Sequence, residues 1–220
     1  MLVLPNAWDV ASARLFADCG FPAIATASWA IAAAHGYPDG ERIPRAEMIA
    51  AVAQIADSVD VPVSADLEAG YGDPIGTARL AWEAGAVGMN FEDAMRPVEE
   101  HVADVRAIKH AVPELVLNAR TDVFLRGSKD PEEAIDRANA YLAAGADCAY
   151  VIGVDDLEII ARLAREIDGP LNVIVDVESP PLTELERLGV RRVTFGPRFF
   201  RAGLARVEEL ARKLVPNERH

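Results

Sequence analysis

The chain has 220 residues, 51% of them hydrophobic, and a formal net charge of −13 at pH 7. That length is enough for one large domain with a buried core. The negative charge repels nucleic-acid phosphates and anionic membrane surfaces, and the sequence lacks the run of about 18 apolar residues needed to span a bilayer, so we expect neither partner. The first residues carry no basic or apolar leader, which predicts a cytoplasmic location.

The chain repeats one pattern, in which an amphipathic stretch is followed by a glycine or proline and then by a short apolar run. In chain order the apolar runs predict eight strands: residues 2–5, 21–26, a run that starts at 63, 87–91, 115–118, 148–152, 171–175 and 192–195. The amphipathic stretches predict eight helices: residues 10–18, 45–58, 74–84, 98–110, 131–144, 157–166, 181–188 and 198–214. Asp9, Asp73 and Asp130 stand where helix N-caps are expected.

Eight strands alternating with eight helices predict a (β/α)₈ TIM barrel, because each repeat of that fold needs roughly 25 to 30 residues. An open, doubly wound sheet has the same alternation, but it is less consistent with this sequence because no glycine-rich nucleotide-binding turn is present. The sequence also contains no linker and no low-complexity tract. We therefore expect a single barrel domain over residues 1–220.

Acidic residues follow two neighbouring strands of this predicted barrel. Asp66 and Glu68 lie two residues apart at the end of the third strand, so an extended backbone would point both carboxylates to the same face. Glu92 and Asp93 close the next strand. Like charges placed together are unfavourable unless a cation lies between them, so we expect Mg²⁺, with Mn²⁺ as an alternative, at this end of the sheet.

In a (β/α)₈ barrel the active site lies where the strands end and the βα loops begin. The polar and aromatic residues predicted at those positions are Asn6, Trp8, Asp9, Thr26, Ser28, Asp66, Glu68, Glu92, Asp93, Arg120, Asp122, Asp176 and Glu178. Arg120 is suited to bind a carboxylate through two hydrogen bonds. A small anionic 2-oxo acid chelated to Mg²⁺ would match both the acids and this arginine.

Several segments of the chain resemble a known family. They are Asn6-Ala-Trp-Asp9, Gly36-Tyr-Pro-Asp39, Ser64-Ala-Asp-Leu-Glu-Ala-Gly-Tyr-Gly72, Asn90-Phe-Glu-Asp93 and Asn118-Ala-Arg-Thr-Asp122. Together they are similar to the isocitrate lyase/phosphoenolpyruvate mutase superfamily. The resemblance implies a Mg²⁺-dependent barrel enzyme that makes or breaks a C–C or C–P bond beside a 2-oxo acid through an enolate.

The resemblance also implies roles for individual residues. Asp66 would bind Mg²⁺ directly, while Glu68 and Glu92 would hold water ligands of the ion. Asp39 would lie beside the metal and the reaction centre.

Four further residues are predicted to contact the substrate. By the resemblance, Ser28 would bind the carboxylate of the oxo acid and Arg120 the other end of the substrate. Trp8 and Tyr71 are expected to form pocket walls.

The chain departs from the family pattern in the loop after the fourth strand. It lacks the K-[KR]-C-G-H cysteine loop of the isocitrate and methylisocitrate lyases, and Cys19 and Cys148 lie elsewhere, where buried structural thiols are expected. It also lacks the gating-loop lysine of the mutases and phosphonopyruvate hydrolases. We therefore expect a lyase or decarboxylase acting on an oxaloacetate-like acid. The alternatives are a protein that binds an oxo acid with little or no turnover, and a phosphonate-acting mutase or hydrolase.

Structural roles are open alternatives for some of these residues. Asn6 and Asp9 could cap the first helix, and the Asp39 segment has the composition of an ordinary turn. Arg120 could form a structural ion pair with Asp122 or Glu92. Family members commonly assemble as tetramers through their last helix, so residues 198–214 predict a homo-oligomer, either a dimer or a tetramer.

Overall fold

The computed structural model describes residues 1–128, 130–176 and 182–215. Within them, parallel strands form one sheet with the order β1-β9-β8-β7-β6-β5-β4-β3-β2. The strands are β1 (Leu2–Leu4), β2 (Asn6–Ala7), β3 (Ile24–Thr26), β4 (Val63–Asp66), β5 (Gly88–Glu92), β6 (Val116–Thr121), β7 (Cys148–Val151), β8 (Leu171–Ile174) and β9 (Arg192–Thr194). The predicted (β/α)₈ barrel is confirmed.

The first predicted strand is split in two at Pro5. Before the proline, β1 pairs with β9; after it, β2 pairs with β3. Proline has no N–H to donate to a ladder, but its carbonyl oxygen still accepts a hydrogen bond from the Ala25 N–H at 2.9 Å. The two halves of this strand thus join the two edges of the sheet, which nearly closes the barrel.

Helices follow the strands around the outside of the barrel. They are α1 (Val10–Asp18), α2 (Ser28–Ala34), α3 (Arg45–Asp57), α4 (Pro74–Glu83), α5 (Val98–Ala111), α6 (Pro131–Ala143), α7 (Leu157–Glu166), α8 (Leu182–Arg187) and α9 (Arg198–Leu214). The side chains of Asp9, Asp73 and Asp130 cap α1, α4 and α6, as predicted. None of the described helices is long and apolar enough to cross a membrane.

Helix α2 is an element that was not predicted from the sequence. Its segment, Ser28-Trp-Ala-Ile-Ala-Ala-Ala34, begins two residues after β3. Alanine has the highest helix propensity, and the run buries Ala30, Ile31 and Ala32. The predicted start of the eighth helix at Pro181 and the predicted site residue Glu178 lie outside the described residues.

The core consists of two apolar clusters, one around β2–β6 and one around β7–β9. The interior of the barrel is polar for a fold of this kind, in which branched apolar residues usually dominate. Its buried polar side chains include Ser64, Asn90, Asn118, Asn172 and Arg192. Each lies on a strand, so the polar interior continues towards the ends of the strands where the candidate site lies.

Candidate active site

One cavity of about 790 Å³ opens where the strands end. Six of the eight residues predicted to bind the metal or the substrate or to take part in catalysis line it: Ser28, Asp39, Asp66, Glu68, Glu92 and Arg120. They come from α2, from β4, β5 and β6, and from two loops. The barrel topology therefore brings together residues that are up to 92 positions apart in sequence, counting from Ser28 to Arg120.

Asp66 is the last residue of β4 and is held by neighbouring elements. Its Oδ2 accepts hydrogen bonds from the Ser28 N–H at 3.0 Å and from the Ser28 hydroxyl at 2.7 Å. Asn90 Nδ2 lies 3.4 Å from Oδ1, and the Asp66 N–H donates to Thr26 Oγ1 at 2.9 Å. The carboxylate is therefore fixed in orientation while its side chain faces the cavity.

Glu68 lies just past β4, where the backbone has a φ of 52°. This left-handed conformation is unusual for a residue with a side chain. Its carboxylate accepts hydrogen bonds from the Glu41 N–H at 2.7 Å and from the Tyr71 hydroxyl at 3.1 Å. Burial, and then the negative charge of Asp66, raise the pKa of Glu68 to about 7, and Asp39 adds to this effect.

Glu92 ends β5 and forms an ion pair across to β6. Its Oε2 lies 2.7 Å from Arg120 Nη1, and Arg120 Nε donates to Asp122 Oδ1 at 2.7 Å. Burial raises the pKa of Glu92 to about 8 even though Arg120 opposes the shift, and the charges of Asp122, Asp66 and Glu68 raise it further. This coupling indicates that the acids of β4 and β5 lie close enough to repel one another.

Arg120 lines the cavity and also forms the structural ion pairs with Glu92 and Asp122 that the sequence left open as an alternative role. Both its Nε and one terminal nitrogen contact carboxylates of the protein itself. The Ser28 hydroxyl is likewise directed at Asp66. In this structure both side chains therefore orient the acids of the cavity.

The structure does not bring Trp8 or Tyr71 to the cavity wall. The Trp8 ring packs edge-on against Phe200 with centroids 5.2 Å apart, and Tyr71 reaches the site only through its hydrogen bond to Glu68. The aromatic residues that line the described wall are Tyr150 on β7 and Trp29 on the unpredicted helix α2. Because that helix was not predicted, sequence reasoning had no basis for placing Trp29 in the wall.

Asp93, which was predicted to lie with Glu92 at the same end of the sheet, points away from the cavity. It is completely buried. Its carboxylate accepts hydrogen bonds from the Tyr141 hydroxyl at 2.7 Å, from Arg137 Nη1 at 3.2 Å, and from the N–H groups of Met95 and Asp122 at 3.0 and 3.1 Å. Adjacent residues of a strand face opposite sides, so the alternation that brings Glu92 into the cavity places Asp93 behind it.

Of the two residues that could cap the first helix, Asp9 does so and Asn6 does not. Asp9 forms a capping box with Ser12 at the start of α1. Asn6 does not cap that helix: its Oδ1 accepts from the N–H groups of Phe195 and Gly196 at 2.8 and 2.9 Å, and its Nδ2 donates to the Thr26 carbonyl at 2.7 Å. Asn6 thus connects β2 with the ends of β3 and β9.

Asn90 is a site residue that sequence reasoning missed. Besides contacting Asp66, it accepts a hydrogen bond from Asn118 Nδ2 at 2.7 Å on the neighbouring strand. Asn90 and Glu92 are two residues apart on β5, so the same alternation that placed Glu92 in the cavity could have identified Asn90.

Comparison with known proteins agrees with this geometry. The family model described as phosphoenolpyruvate phosphomutase matches residues 1–215. The chain belongs to the isocitrate lyase/phosphoenolpyruvate mutase superfamily. It is 32% identical over 212 residues to an oxaloacetate decarboxylase of Chromohalobacter salexigens, covering 87% of this chain and 72% of the relative. It is 30% identical over 212 residues to a 2,3-dimethylmalate lyase of Eubacterium barkeri, covering 86% and 73%.

A solved structure of the superfamily is similar over nearly the whole chain. The crystal structure of a candidate phosphonomutase from Burkholderia cenocepacia J2315 has a TM-score of 0.93 and 38% sequence identity, covering 96% of this chain and 93% of that one.

This member of the superfamily has a short connection between β5 and α5. Only residues 93–97 lie between Glu92 and Val98. The turn is closed by the Arg96 N–H, which donates to the Asp93 carbonyl at 2.8 Å, and it includes two residues with positive φ, Ala94 and Met95. So short a turn cannot fold over the cavity as a long loop would.

Cysteine, lysine and histidine do not occur among the described residues that line the cavity. Cys19 is exposed on the outside of the barrel, and burial raises the pKa of the Cys148 thiol to about 12. His101 is completely buried against Phe91 and Tyr141, where burial lowers its pKa to about 4. The described part of the wall therefore offers no thiolate nucleophile and no amine for a Schiff base.

The arrangement of acids can be compared with what Mg²⁺ requires. Across the described residues, no three His, Cys, Asp or Glu side chains are close enough to form a direct metal cage. Mg²⁺ does not need such a cage, because it usually keeps several water ligands and contacts only one or two carboxylates directly. One oriented carboxylate, Asp66, with two more acids on the same cavity wall fits this mode of binding. The metal ligands themselves remain a prediction.

Proposed function

We propose that the protein is a Mg²⁺-dependent carbon–carbon lyase of the decarboxylase type, which cleaves a bond adjacent to a small 2-oxo acid. The observation that carries the proposal is the convergence of Asp66, Glu68 and Glu92 on one cavity at the ends of the strands. Relatives named oxaloacetate decarboxylase and 2,3-dimethylmalate lyase support the same reaction type.

The residues of the chain would prepare this site before substrate arrives. Asp66 would hold the ion directly, in the orientation set by Ser28, while Glu68 and Glu92 would hold its water ligands. When bound, the ion would supply the positive charge that chelates the oxo acid and neutralises charge developing on its enolate oxygen. Arg120 would keep Glu92 directed at the cavity, and Asp39 on the facing loop would lie beside the reaction centre.

Decarboxylation suits the residues that the cavity wall contains. Loss of CO₂ from a chelated 2-oxo acid needs no side chain to act as an acid in the bond-breaking step. The described wall holds neither a thiol nor a lysine, which the cysteine-dependent lyases and the mutases respectively employ. An oxaloacetate-like 2-oxo dicarboxylate therefore fits better than an isocitrate-like or phosphonate substrate.

We also infer that the chain assembles as a homo-oligomer through α9. This helix has no buried residue, and Leu204, Val207, Leu210 and Leu214 are all exposed on it. Apolar positions at this spacing form one face of a helix, and a second copy of the chain would cover it. Sedimentation at several concentrations should show a dimer or tetramer, and a monomer at all of them would contradict this inference.

Turnover assays with a panel of substrates test the proposed reaction. The protein would be incubated with Mg²⁺ and oxaloacetate, phosphonopyruvate, methylisocitrate or 2-oxoglutarate, and pyruvate and CO₂ would be followed against an enzyme-free blank. We expect oxaloacetate to be decarboxylated faster than the blank, and EDTA to remove the difference.

A matched pair of variants in this assay distinguishes the loss of a cavity acid from the loss of a surface acid. Glu92→Gln should lower turnover strongly, whereas Glu83→Gln, an exposed position on α4, should leave it unchanged. Turnover of phosphonopyruvate alone would favour the mutase or hydrolase alternative. Binding across the panel without any turnover would favour a protein that only binds the oxo acid.

A further inference from the structure

The loop that carries Asp39 connects α2 to α3 and reaches the rim of the cavity. Asp39 and Gly40 line the cavity, whereas Glu41 lies just behind its wall. Residues 38–42 form the Asp39 loop, and they make hydrogen bonds to other parts of the described chain only through Glu41. The next residue, Ile43, is completely buried, so it holds the end of the loop that leads into α3. Glu41 is therefore the polar attachment of the Asp39 loop to the barrel.

Glu41, Glu68 and Tyr71 form a closed ring of three hydrogen bonds. The Glu41 N–H donates to Glu68 Oε2 at 2.7 Å, and the Tyr71 hydroxyl donates to Glu68 Oε1 at 3.1 Å. The Glu41 carboxylate accepts a hydrogen bond from the Tyr71 N–H at 2.6 Å, which closes the ring. Both carboxylate oxygens of Glu68 are therefore held, one by the Asp39 loop and the other by the loop that follows β4.

The backbone is left-handed at all three residues of the ring. The φ angle is 58° at Glu41, 52° at Glu68 and 56° at Tyr71, and among described residues other than glycine only Ala94 and Met95 also have a positive φ. Residues with a side chain rarely adopt this conformation, and they keep it where surrounding contacts impose it, most often at functional sites. The hydrogen bonds of the ring are contacts of this kind, and they converge on an acid of the cavity wall.

We propose that Glu41 is a positioning residue that holds Asp39 and Glu68 at the cavity wall. Its carboxylate binds the loop after β4 and its N–H binds Glu68, so one residue fixes both acids relative to the barrel. Asp66 is oriented separately, by Ser28. The effect of Glu41 on Mg²⁺ binding rests on the proposed function, whereas its attachment of the Asp39 loop does not.

Limited trypsin digestion of the metal-free protein tests the attachment of the loop. Arg42 is exposed and precedes the buried Ile43, so trypsin cuts between them when the loop opens. In EDTA we expect Glu41→Ala to be cut there about ten-fold faster than wild type, because it loses a hydrogen bond to a charged group. Glu41→Gln keeps an acceptor for the Tyr71 N–H and should stay within about three-fold of wild type. Mass spectrometry of the fragments identifies the cut.

Two controls distinguish opening of the loop from a general loss of folding. Tyr71→Phe removes the hydroxyl that contacts Glu68 but keeps the Tyr71 N–H, so cleavage at Arg42 should be as slow as in wild type. Arg106 is exposed in the middle of α5, and cleavage there should be equally slow in every variant. Equal acceleration at Arg42 and Arg106 in Glu41→Ala would show a global effect and overturn the positioning role.

Calorimetric titration with Mg²⁺ tests the consequence for the candidate site. Glu41→Ala should bind Mg²⁺ about ten-fold more weakly than wild type, a typical result of removing a group that orients the surroundings of a metal. Glu41→Gln should stay within about three-fold of wild type, because it keeps the acceptor. Both variants remove the same negative charge, so the difference between them measures the hydrogen bond and not the electrostatic attraction for the cation.

The positioning role is overturned if Arg42 is cut as slowly in Glu41→Ala as in wild type. It is also overturned if Glu41→Ala and Glu41→Gln bind Mg²⁺ equally well, even where the loop is released. A wild-type protein that binds no Mg²⁺ would overturn the proposed function, and the digestion would still decide whether Glu41 holds the loop.

Discussion

Glu92 and Asp93 are neighbours in sequence, yet they belong to two regions of the molecule with opposite electrostatics. Glu92 faces the cavity, where burial raises its pKa to about 8. Asp93 lies behind the strand, where burial alone would raise its pKa, but hydrogen bonds from Met95, Tyr141 and Asp122 outweigh this effect and leave the pKa below its ordinary value. Behind the strand, hydrogen-bond donors stabilise the charged form of Asp93 enough to outweigh burial. In the cavity, the groups around Glu92 do not outweigh burial.

This difference separates a structural acid from a functional one. The carboxylate of Asp93 is satisfied within the protein by the Arg137 guanidinium and several N–H and O–H donors. At the cavity, burial together with the charges of the neighbouring acids outweighs the attraction of Arg120 and raises the pKa of Glu92. Residues in a cleft whose pKa is strongly shifted by burial and by neighbouring charges are candidates for a functional site. A cation bound between them would supply the missing positive charge.

Removing the structural acid should have the largest effect on stability. Asp93→Ala leaves the buried Tyr141 hydroxyl and the partly buried Arg137 guanidinium without their shared acceptor, so we expect the free energy of unfolding to fall by about 3–5 kcal/mol. Urea denaturation would measure it. The matched control is Asp104→Ala, which removes a partly exposed ion pair with Arg96 and should cost no more than about 1 kcal/mol. A smaller loss for Asp93→Ala than for Asp104→Ala would contradict the comparison.

Glu92 should make the metal-free protein less stable as the pH rises. Its pKa is raised from 4.5 to about 8, so the folded state binds the proton more tightly than the unfolded chain between these pH values. Relative to Glu92→Gln, the wild-type protein should therefore lose on the order of 4 kcal/mol between pH 5 and pH 9.

Unfolding experiments in EDTA at the two pH values would measure this difference. For Asp93 the sign is reversed, because a lowered pKa gives stability that is lost only as the pH falls through the acidic range. Parallel pH profiles for wild type and Glu92→Gln would show that Glu92 is not perturbed.

A smaller effect is expected from Tyr141→Phe. This change removes the hydroxyl that donates to Asp93 at 2.7 Å and keeps the ring, so about 1.5 kcal/mol of stability should be lost. Turnover should be unaffected because Tyr141 does not line the cavity. Tyr37→Phe, whose hydroxyl contacts the exposed Glu47, should change stability by less than about 0.5 kcal/mol. Loss of turnover in Tyr141→Phe at unchanged stability would count against a purely structural role.

The repeating pattern of the sequence was sufficient to predict the barrel, since each strand and its following helix carry their own local signals. Asp66, Glu68 and Glu92 line one cavity, as the sequence predicted. The alternation argument does not hold for Glu68, however, because β4 ends at Asp66 and Glu68 has a left-handed φ of 52°. The same rule, applied to Glu92 and Asp93, would have separated them. Treating these two acids as a pair was the error, because neighbouring residues of a strand face opposite sides.

Other features depended on contacts that a sequence does not reveal. The pairing of Arg120 with both Glu92 and Asp122 follows from the register of β5 and β6. Trp29 enters the cavity wall only because α2 forms directly after β3. Trp8 packs against Phe200, near the opposite end of the chain, so its place outside the wall could not be deduced from local sequence.

Direct measurement of Mg²⁺ binding tests the central claim, that Asp66 holds a cation at this cavity with Glu68 and Glu92. Calorimetric titration of wild type should show one Mg²⁺ per chain. Asp66→Ala should show no measurable binding while circular dichroism shows an intact fold, and the exposed-site control Asp60→Ala should bind as wild type does. Unchanged Mg²⁺ affinity in Asp66→Ala would contradict the metal assignment and the chemistry proposed from it.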